Sequence, residues 1–288
     1  MDYFERIQTS IDYIENHLQD ELSITEVASK SYFSAFHFQR LFQAITGLSV
    51  QQYIRNRRLS EAASSLLATT KNILEIAITF QYGSQEAFTR AFVNYFGVTP
   101  AKYRKIKNTK PLQTRMNFLD YKINGDLNMN KPAIISLKKR LIIGYEYKTT
   151  LQNEKYFEDI PEFYFDFGKN LYYERIENKI APNIAHGIST NFHDDGQFSF
   201  IIGEEVQKYD SSLDDGFVNF EIPEGKYAEF KINGSSEAVQ NTRRYIYSVW
   251  LPNSNYERNN GPDFEITDVV NSTFPNNMKM IIYIPIIG

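Results

Sequence analysis

Two arginines occupy matching places in two similar segments of the chain. Arg40 and Arg90 each stand in the pattern Ser-x-x-x-Phe-x-Arg-x-Phe, and the two copies are 50 residues apart. An arginine guanidinium can donate two hydrogen bonds to the O6 and N7 atoms of guanine in the major groove of DNA. Each arginine taken singly could equally face solvent or form a salt bridge, but its recurrence at one place in both copies favours DNA.

The elements that carry these arginines are predicted to be helices with defined ends. A serine or asparagine three residues before a glutamate or glutamine forms a capping box, in which each side chain bonds the other's free backbone N–H. Three such pairs begin helices: Ser23 with Glu26, Ser49 with Gln52, and Asn72 with Glu75. Ser34 and Ser84 cap further helices, and Gly47 and Gly97 end them. Each copy is therefore a short helix, a turn and a second helix.

The spacing between the two copies has a geometric consequence. The helix that starts after Ser49 runs for about twenty residues, or about 30 Å at 1.5 Å per residue. One turn of B-DNA is about 34 Å, so two helices joined in this way can enter successive major grooves on one face. The pattern predicts an all-α double helix-turn-helix domain in which one chain can read two half-sites.

Residues 1–107 resemble the DNA-binding domain of the AraC/XylS family of transcriptional regulators. The resemblance rests on Ile76-Ala77, Phe88-x-Arg90-x-Phe92, Phe96-Gly97-x-Thr99-Pro100 and Tyr103-Arg104, and on Arg55-x-Arg57-Arg58-Leu59 in the connecting helix. One departure is that Gln81 stands where the family usually has glycine in the turn.

This resemblance implies a set of DNA contacts. The predicted DNA-binding side chains are Phe36, Gln39, Arg40, Arg55, Gln85, Glu86, Thr89 and Arg90. The residues expected to contact phosphates are Arg55, Arg57, Lys71, Lys102, Arg104, Lys105 and Lys107. Such contacts position a protein on DNA without specifying the sequence. Two alternatives stay open: Phe36 packs on the first helix, and Arg57 with Arg58 holds the domain together.

Charge is distributed unevenly along the chain. The whole sequence has 31 basic and 35 acidic residues and a net charge of −4. Residues 1–52 carry −4, residues 53–107 carry +6, and residues 108–288 carry −6. A basic segment suits DNA, whereas an acidic domain attracts cations and avoids DNA.

The second half of the chain has a different pattern. Residues 108–130 contain Pro, Gly and five Asn without a sustained period, and we interpret them as a linker. From residue 131, strand patterns alternate with two predicted helices, over 160–176 and about 235–250. We predict an α+β domain of two strand-helix-strand-strand repeats over 131–288, with the helices on one face of the sheet.

Residues 131–288 resemble the GyrI-like effector-binding domains found in some regulators. The resemblance rests on Ile222-Pro223-x-Gly225-x-Tyr227, Trp250-Leu251-Pro252, Gly261-Pro262-Asp263-Phe264-Glu265 and Ile282-Tyr283-Ile284-Pro285, with Gly187-Ile188 in the first repeat. Thr267 stands in a region where the family often has tyrosine, so we expect one pocket wall to differ.

That resemblance implies a cleft between the repeats that binds lipophilic cations with aromatic side chains and a buried acid. The candidate ligand-binding residues are Tyr145, Tyr147, Phe163, Tyr164, Phe167, Tyr247, Trp250, Glu265 and Tyr283. A cation gains about 0.5–2 kcal/mol over an aromatic face. The alternative for each aromatic is a place in the sheet core, and the alternative for Glu265 is a structural salt bridge.

Several classes of function find no support in the sequence. Zero cysteines exclude disulfides, thiol nucleophiles and thiolate metal sites. The four histidines are too scattered for a metal site, and no phosphate loop, nucleophile elbow or HExxH occurs. No secretory signal or membrane span is visible. We therefore expect a cytoplasmic protein with no catalytic residues, no metal and no cofactor.

Taken together, the sequence predicts a sequence-specific DNA-binding transcriptional regulator controlled by a small-molecule, lipophilic and cationic effector in its C-terminal domain. Its expected partners are double-stranded promoter DNA, the effector and RNA polymerase, and it is expected to be a monomer or homodimer. An alternative stays open for the C-terminal domain, which would then be a small-molecule hydrolase or a protein-docking module.

Overall fold

The computed structural model describes residues 3–106, 112–117, 131–193, 195–210 and 212–288. The chain divides into two compact units, one made mainly from the first 122 residues and one mainly from the rest. The predicted linker, 108–130, lies outside the described residues except for 112–117.

The first unit is all-helical, as predicted. Its helices are α1 (Tyr3–Asn16), α2 (Ile24–Ser29), α3 (Ala35–Thr46), α4 (Val50–Ala68), α5 (Ile73–Thr79), α6 (Gln85–Phe96) and α7 (Pro100–Ile106). The pairs α2–α3 and α5–α6 are the two helix-turn-helix copies, and α4 connects them. The 19 residues of α4 give about 28 Å between the copies.

Helix caps in this unit follow the sequence prediction with one exception. The boxes of Ser49 with Gln52 and of Asn72 with Glu75 form in both directions. At the start of α2 only half of the box forms, because Ser23 accepts from the Glu26 backbone N–H without a return bond. The Glu26 carboxylate instead accepts a hydrogen bond from the Tyr13 hydroxyl at 2.5 Å.

The turns of the two copies have the same backbone geometry. Tyr32 and Gln81 both adopt left-handed backbone angles, with φ of 58° and 66°. In each turn the next residue's N–H bonds a carbonyl five residues back, Phe33 to Ala28 at 3.1 Å and Tyr82 to Ala77 at 2.9 Å. Gln81 thus keeps the conformation that glycine adopts most readily, at a steric cost that glycine avoids.

The second unit is an antiparallel sheet with two long helices. Its strands are β1 (Ala133–Leu137), β2 (Arg140–Thr150), β3 (Ile184–Thr190), β4 (Gln197–Val206), β5 (Phe217–Ile222), β6 (Gly225–Gly234), β7 (Glu257–Arg258), β8 (Asp263–Asp268) and β9 (Met278–Ile287). The order across the sheet is β1-β6-β9-β8-β3-β4-β2-β5, with β7 paired to β9. The predicted α+β class is confirmed.

The first long helix begins and ends earlier than the predicted range 160–176, and two strands were not predicted. The first long helix, α8 (Tyr156–Lys169), begins before the expected residue 160 and contains Pro161 within it. Burial of Tyr156 and Ile160 against the sheet stabilises this earlier turn. The second long helix, α9 (Ser236–Tyr245), continues as a π-helical turn, Ile246–Trp250, and the two together cover the predicted range of about 235–250. Strands β5 and β7 were not predicted, because they have only six and two residues and their alternation is short.

The sheet curls so that its two edges approach each other. Strand β1 lies at one edge, yet two residues connect it to β2, which is next to the opposite edge. Likewise two residues connect β5 at the far edge to β6 beside β1. Because two residues span only about 10 Å, the concave face closes on itself. That face buries Ile142, Ile188, Ile201, Ile222, Tyr227, Phe264 and Tyr283.

Candidate functional site

A cavity of about 410 Å³ lies on the convex face of the curled sheet, between α8 and α9. One face of α8 and one face of α9 form its walls, and strands β8 and β9 form its floor. Its lining residues are Tyr156, Phe157, Ile160, Pro161, Tyr164, Phe165, Ser236, Val239, Gln240, Arg243, Glu265, Thr267, Val269, Ser272, Phe274, Met278 and Met280. The size and the largely apolar lining are those of a small-molecule site.

A carboxylate on β8 is the acidic centre of this cavity. Glu265 is buried and accepts a hydrogen bond from the Tyr164 hydroxyl at 3.0 Å. The Arg243 guanidinium on α9 donates to the other carboxylate oxygen. Burial raises the pKa of Tyr164 to about 12, so this hydroxyl keeps its proton at neutral pH and can donate.

A glycine on the neighbouring strand makes room for this cluster. Gly187 on β3 pairs with Glu265, and a Cβ placed on it would lie within 3 Å of the Tyr164 hydroxyl, the Phe200 ring and the Glu265 side chain. Only a residue without a side chain fits there. In the sequence, Gly187 contributed to the resemblance to GyrI-like domains, but the sequence did not show why glycine is needed at this position.

Of the nine predicted ligand-binding residues, Tyr164 and Glu265 line the cavity. Four others pack in the core between α8 and the sheet. Tyr147 stacks on Phe163 with ring centroids 4.5 Å apart, and Tyr145 stacks on Tyr172 at 4.4 Å. Phe167 is buried in the same cluster. In this structure these four side chains pack against aromatic rings of the core, and their contact with an effector stays a prediction.

The remaining three predicted ligand residues lie outside the cavity lining. The Tyr247 hydroxyl donates to Asp263, which also pairs with Arg258. Trp250 meets the ring of Phe230 edge-on at 5.1 Å. Tyr283 points to the concave face because its neighbour in sequence, Ile282, is the register partner of Glu265. Strand alternation alone therefore separates Tyr283 from the acid.

Most of the residues with which α8 and α9 line the cavity were not predicted from the sequence. The lining residues of α9 recur at three- and four-residue spacing, Ser236, Val239, Gln240 and Arg243, which marks one helix face. That spacing is visible in the sequence. The sequence does not show which residues lie opposite this face of α9, and so Arg243 was not predicted to be a site residue. Thr267 lines the cavity from strand β8, so the departure noted at this residue falls on the floor of the cavity and not on a wall.

In the N-terminal unit, α6 presents its predicted base-reading residues to solvent. Gln85, Glu86 and Arg90 are exposed and Thr89 is half-buried. Hydrogen bonds from the backbone N–H of Glu86 itself and from Ser84 lower the pKa of the Glu86 carboxyl. The side chain is therefore an acceptor at neutral pH, as hydrogen bonding to a cytosine amino group requires.

The equivalent residues of α3 have a different environment. Gln39 and Arg40 are buried, at 2% and 7% exposed, and Phe36 is half-buried. The Arg40 guanidinium carbon lies 5.7 Å from the centroid of the Phe36 ring. The matching residues of α3 and α6 therefore differ in solvent exposure, although the sequence pattern is repeated.

The predicted phosphate contacts separate into two groups. Arg55, Lys71, Lys102 and Lys105 are exposed, and Lys107 lies outside the described residues. Arg104 donates to the carbonyls of Leu66 and Lys71, at 2.9 and 2.6 Å, which ties α7 to the end of α4.

Arg57 is the clearest correction to the expected phosphate contacts. It is buried, pairs with Glu15 on α1 at 2.7 Å and Glu61 at 2.8 Å, and donates to the Gln113 carbonyl at 2.7 Å. Burial lowers its pKa, but the bonds to Glu15 more than offset this, and the pKa is raised overall. The alternative left open for Arg57, that it holds the domain together, describes these contacts.

Two features are absent from the described ranges. Within them, His, Asp and Glu side chains form no group of three that could hold a metal ion. Nor does any described helix have the length and apolar character needed to cross a membrane.

The fold and these two sites together define a DNA-binding transcriptional regulator with an attached effector-binding domain. A family model described as "Helix-turn-helix domain" matches residues 27–106. A second, "Integron-associated effector binding protein", matches residues 133–286, which is more than half of the chain. The chain therefore belongs to the family of integron-associated effector-binding proteins, and it combines that domain with an AraC-type DNA-binding domain, as the two resemblances had indicated.

One similar protein spans both domains, and others match one domain each. The Right origin-binding protein of Escherichia coli K12 is 29% identical over 301 aligned positions, covering 99% of each chain. The multiple antibiotic resistance protein MarA of Salmonella typhimurium is 42% identical over 98 residues, 34% of this chain and 77% of that one. A crystal structure of an integron cassette protein from Vibrio cholerae covers 55% of this chain and 96% of its own, at 18% identity and a TM-score of 0.39.

Proposed function

We propose that this regulator is controlled by a lipophilic cation that binds in the cavity between α8 and α9. The observation that carries the proposal is a cavity of about 410 Å³ with aromatic and aliphatic walls and one buried carboxylate, Glu265, on its floor. Apolar walls supply binding energy by burying ligand surface. A buried carboxylate favours a positively charged group over a neutral or anionic one.

The sensor interpretation agrees with a relative of the same length, the transcriptional regulator Rob of Salmonella typhimurium, which gives no support to the alternatives of a hydrolase or a docking module. Control would act by population shift: a ligand that binds one conformation better increases that conformation's share. RNA polymerase, a monomeric or dimeric state and a cytoplasmic location remain predictions, as do the domain limits 1–107, 108–130 and 131–288.

We propose that α6 is the main base-reading helix. Its exposed Arg90, Gln85 and Glu86 offer the hydrogen-bonding groups that distinguish guanine, adenine and cytosine. Arg55, Lys71, Lys102 and Lys105 supply phosphate contacts from the same basic segment.

A titration of the full chain against duplex DNA tests both parts. The DNA site is first selected from a random pool, and binding is then measured with and without dodecyltrimethylammonium as a probe cation. We expect the probe to change DNA affinity in the wild type, and we expect no change in Val239→Phe, which adds volume inside the cavity.

The matched control is Val270→Phe, because Val270 is exposed and outside the cavity lining. It should respond to the probe as the wild type does. If Val239→Phe responds as fully as the control, the effector does not bind in this cavity.

A further inference from the structure

The Glu265 carboxylate already has a cation beside it. Arg243 pairs with it, and the two side chains are only 12% and 3% exposed. Both residues line the cavity, so the pair belongs to the floor on which a ligand would lie. The charges of Glu265 and Arg243 therefore cancel, and this end of the cavity has no net charge in this structure.

We propose that Arg243 is an internal substitute for the effector's positive charge, which a lipophilic cation displaces when it binds. This rests on the proposed function, and it makes Arg243 the residue that sets the charge specificity of the cavity. An incoming cation takes the place of the guanidinium beside Glu265, and Arg243 turns away from the floor.

Cationic, anionic and neutral ligands should differ in binding free energy, because each affects the pair of Arg243 and Glu265 in a different way. A cation that displaces Arg243 leaves the buried carboxylate paired, so the exchange breaks one ion pair and forms another. An anion that draws Arg243 to itself leaves Glu265 buried without its charge partner, which is strongly unfavourable. A neutral ligand needs no exchange and contacts the pair as it stands.

The location of Arg243 permits the exchange. It belongs to the last turn of α9, and its long side chain reaches the floor from the wall of the cavity. The Tyr164 hydroxyl, which keeps its proton, stays hydrogen-bonded to Glu265 and holds the carboxylate while the cation partner changes.

The neighbouring arginine offers a matched control. Arg244 also lies on α9, but it pairs with Glu154 at 3.2 Å and lies over the ring of Phe157 at 5.0 Å. Its side chain is 42% exposed and it is not part of the cavity lining. Arg244→Gln therefore removes the same charge from the same helix without opening the floor.

The experiment measures binding of three probes with one dodecyl chain by isothermal titration calorimetry on the full chain. The probes are dodecyltrimethylammonium, dodecanol and dodecanoate, used below their aggregation concentrations. In Arg243→Gln we expect the cation to bind at least tenfold more tightly than in the wild type, and dodecanol to change less than threefold. Arg244→Gln should match the wild type for all three probes.

The double variant Arg243→Gln with Glu265→Gln keeps the test valid if the single variant folds poorly, because it leaves no unpaired charge on the floor. We expect it to bind dodecanol and to lose the preference for the cation. A purely structural Arg243 would instead change cation and alcohol binding by the same factor.

The outcomes separate this inference from the proposed function. If the probes bind the wild type and the ratio of cation to alcohol affinity is the same in Arg243→Gln, the role given to Arg243 is wrong and the effector site stands. If no probe binds the wild type or either variant, the effector site itself is wrong, and the inference falls with it.

Discussion

The two helix-turn-helix copies share their backbone and differ in almost everything that surrounds it. Both have a capped start and the same left-handed turn, at Tyr32 and at Gln81. The first copy lies in a segment of net charge −4 and has a buried arginine on its second helix. The second lies in a segment of +6 and exposes its arginine. A repeated backbone therefore does not imply a repeated charge or the same exposure of the matching arginines.

The supports of the two copies also differ. The first is braced by an ion-pair network in which Arg57 joins Glu15 of α1, and the Tyr53 hydroxyl donates to the same carboxylate at 2.6 Å. The second is braced by an apolar cluster that includes Phe88, Phe92 and Tyr103. Both copies bury apolar side chains, among them Phe38 and Phe42 in the first, so the difference between them is the ion-pair network that is added beneath the first copy.

The largest expected effect is the loss of the network under the first copy. Arg57→Leu should lower the free energy of unfolding by about 3 kcal/mol, because it leaves a buried carboxylate without its partner. Urea unfolding followed by circular dichroism measures this. Arg55→Leu, on the same helix but exposed, should change stability by less than about 0.5 kcal/mol. Equal losses in the two variants would contradict the bracing role.

The next effect concerns DNA. Arg90→Ala should weaken binding to the selected site by about 1–3 kcal/mol and relax the preference at one base pair, because an exposed guanidinium can bond guanine at two atoms. Arg40→Ala should cost less than about 1 kcal/mol, because Arg40 is buried here. Fluorescence anisotropy against single-base variants of the site measures both. A larger effect at Arg40 would reverse the assignment of α6 as the main reader.

A smaller effect distinguishes the two short helices, α2 and α5. Asn72→Ala removes a capping box that forms in both directions, and we expect a loss of about 1 kcal/mol. Ser23→Ala removes a single cap bond, so we expect about half of that. Thermal unfolding of the two variants gives the comparison, and an equal loss would mean that the return bond from Glu75 adds nothing.

The smallest effects come from the two turns. Replacing either left-handed residue by glycine relieves steric strain, so Tyr32→Gly should stabilise the protein by a few tenths to about 1 kcal/mol. Gln81→Gly should gain less, because the Gln81 side chain also donates to the Gln19 carbonyl. Chemical denaturation of both variants and of Gln81→Ala separates the strain from the lost bond. Destabilisation by Tyr32→Gly would show that the turn is not strained.

Much of the DNA-binding unit was predictable because its signals are local. A cap such as Asn72 acts within four residues, and a turn residue such as Gln81 acts on its own backbone. The burial of Arg40 and Arg57 was not predictable in this way. Both carry the same charge as Arg90 and Arg55, and only their surroundings in the folded chain distinguish them.

In the second unit, by contrast, the class of fold was predictable from the sequence and most of the candidate site was not. The α+β class, the helices and Glu265 followed from alternating patterns and from a resemblance. The walls of the cavity did not follow, because they depend on which face of α8 meets which face of α9. Tyr147 and Phe163 are of the same residue types as the aromatic residues that line the cavity. They stack on each other and do not line it.

The sequence by itself determined that the chain has two domains, where most helices begin and end, and that its excess positive charge lies in residues 53–107. Those properties come from neighbours along the chain, through hydrogen-bonding caps, apolar periodicity and residue type. Only the tertiary structure decided that Arg243 occupies the charged floor of the cavity and that Tyr283 faces away from it. Charge pairing and strand register join residues far apart in sequence, and their energies depend on burial, which exists only in the folded molecule.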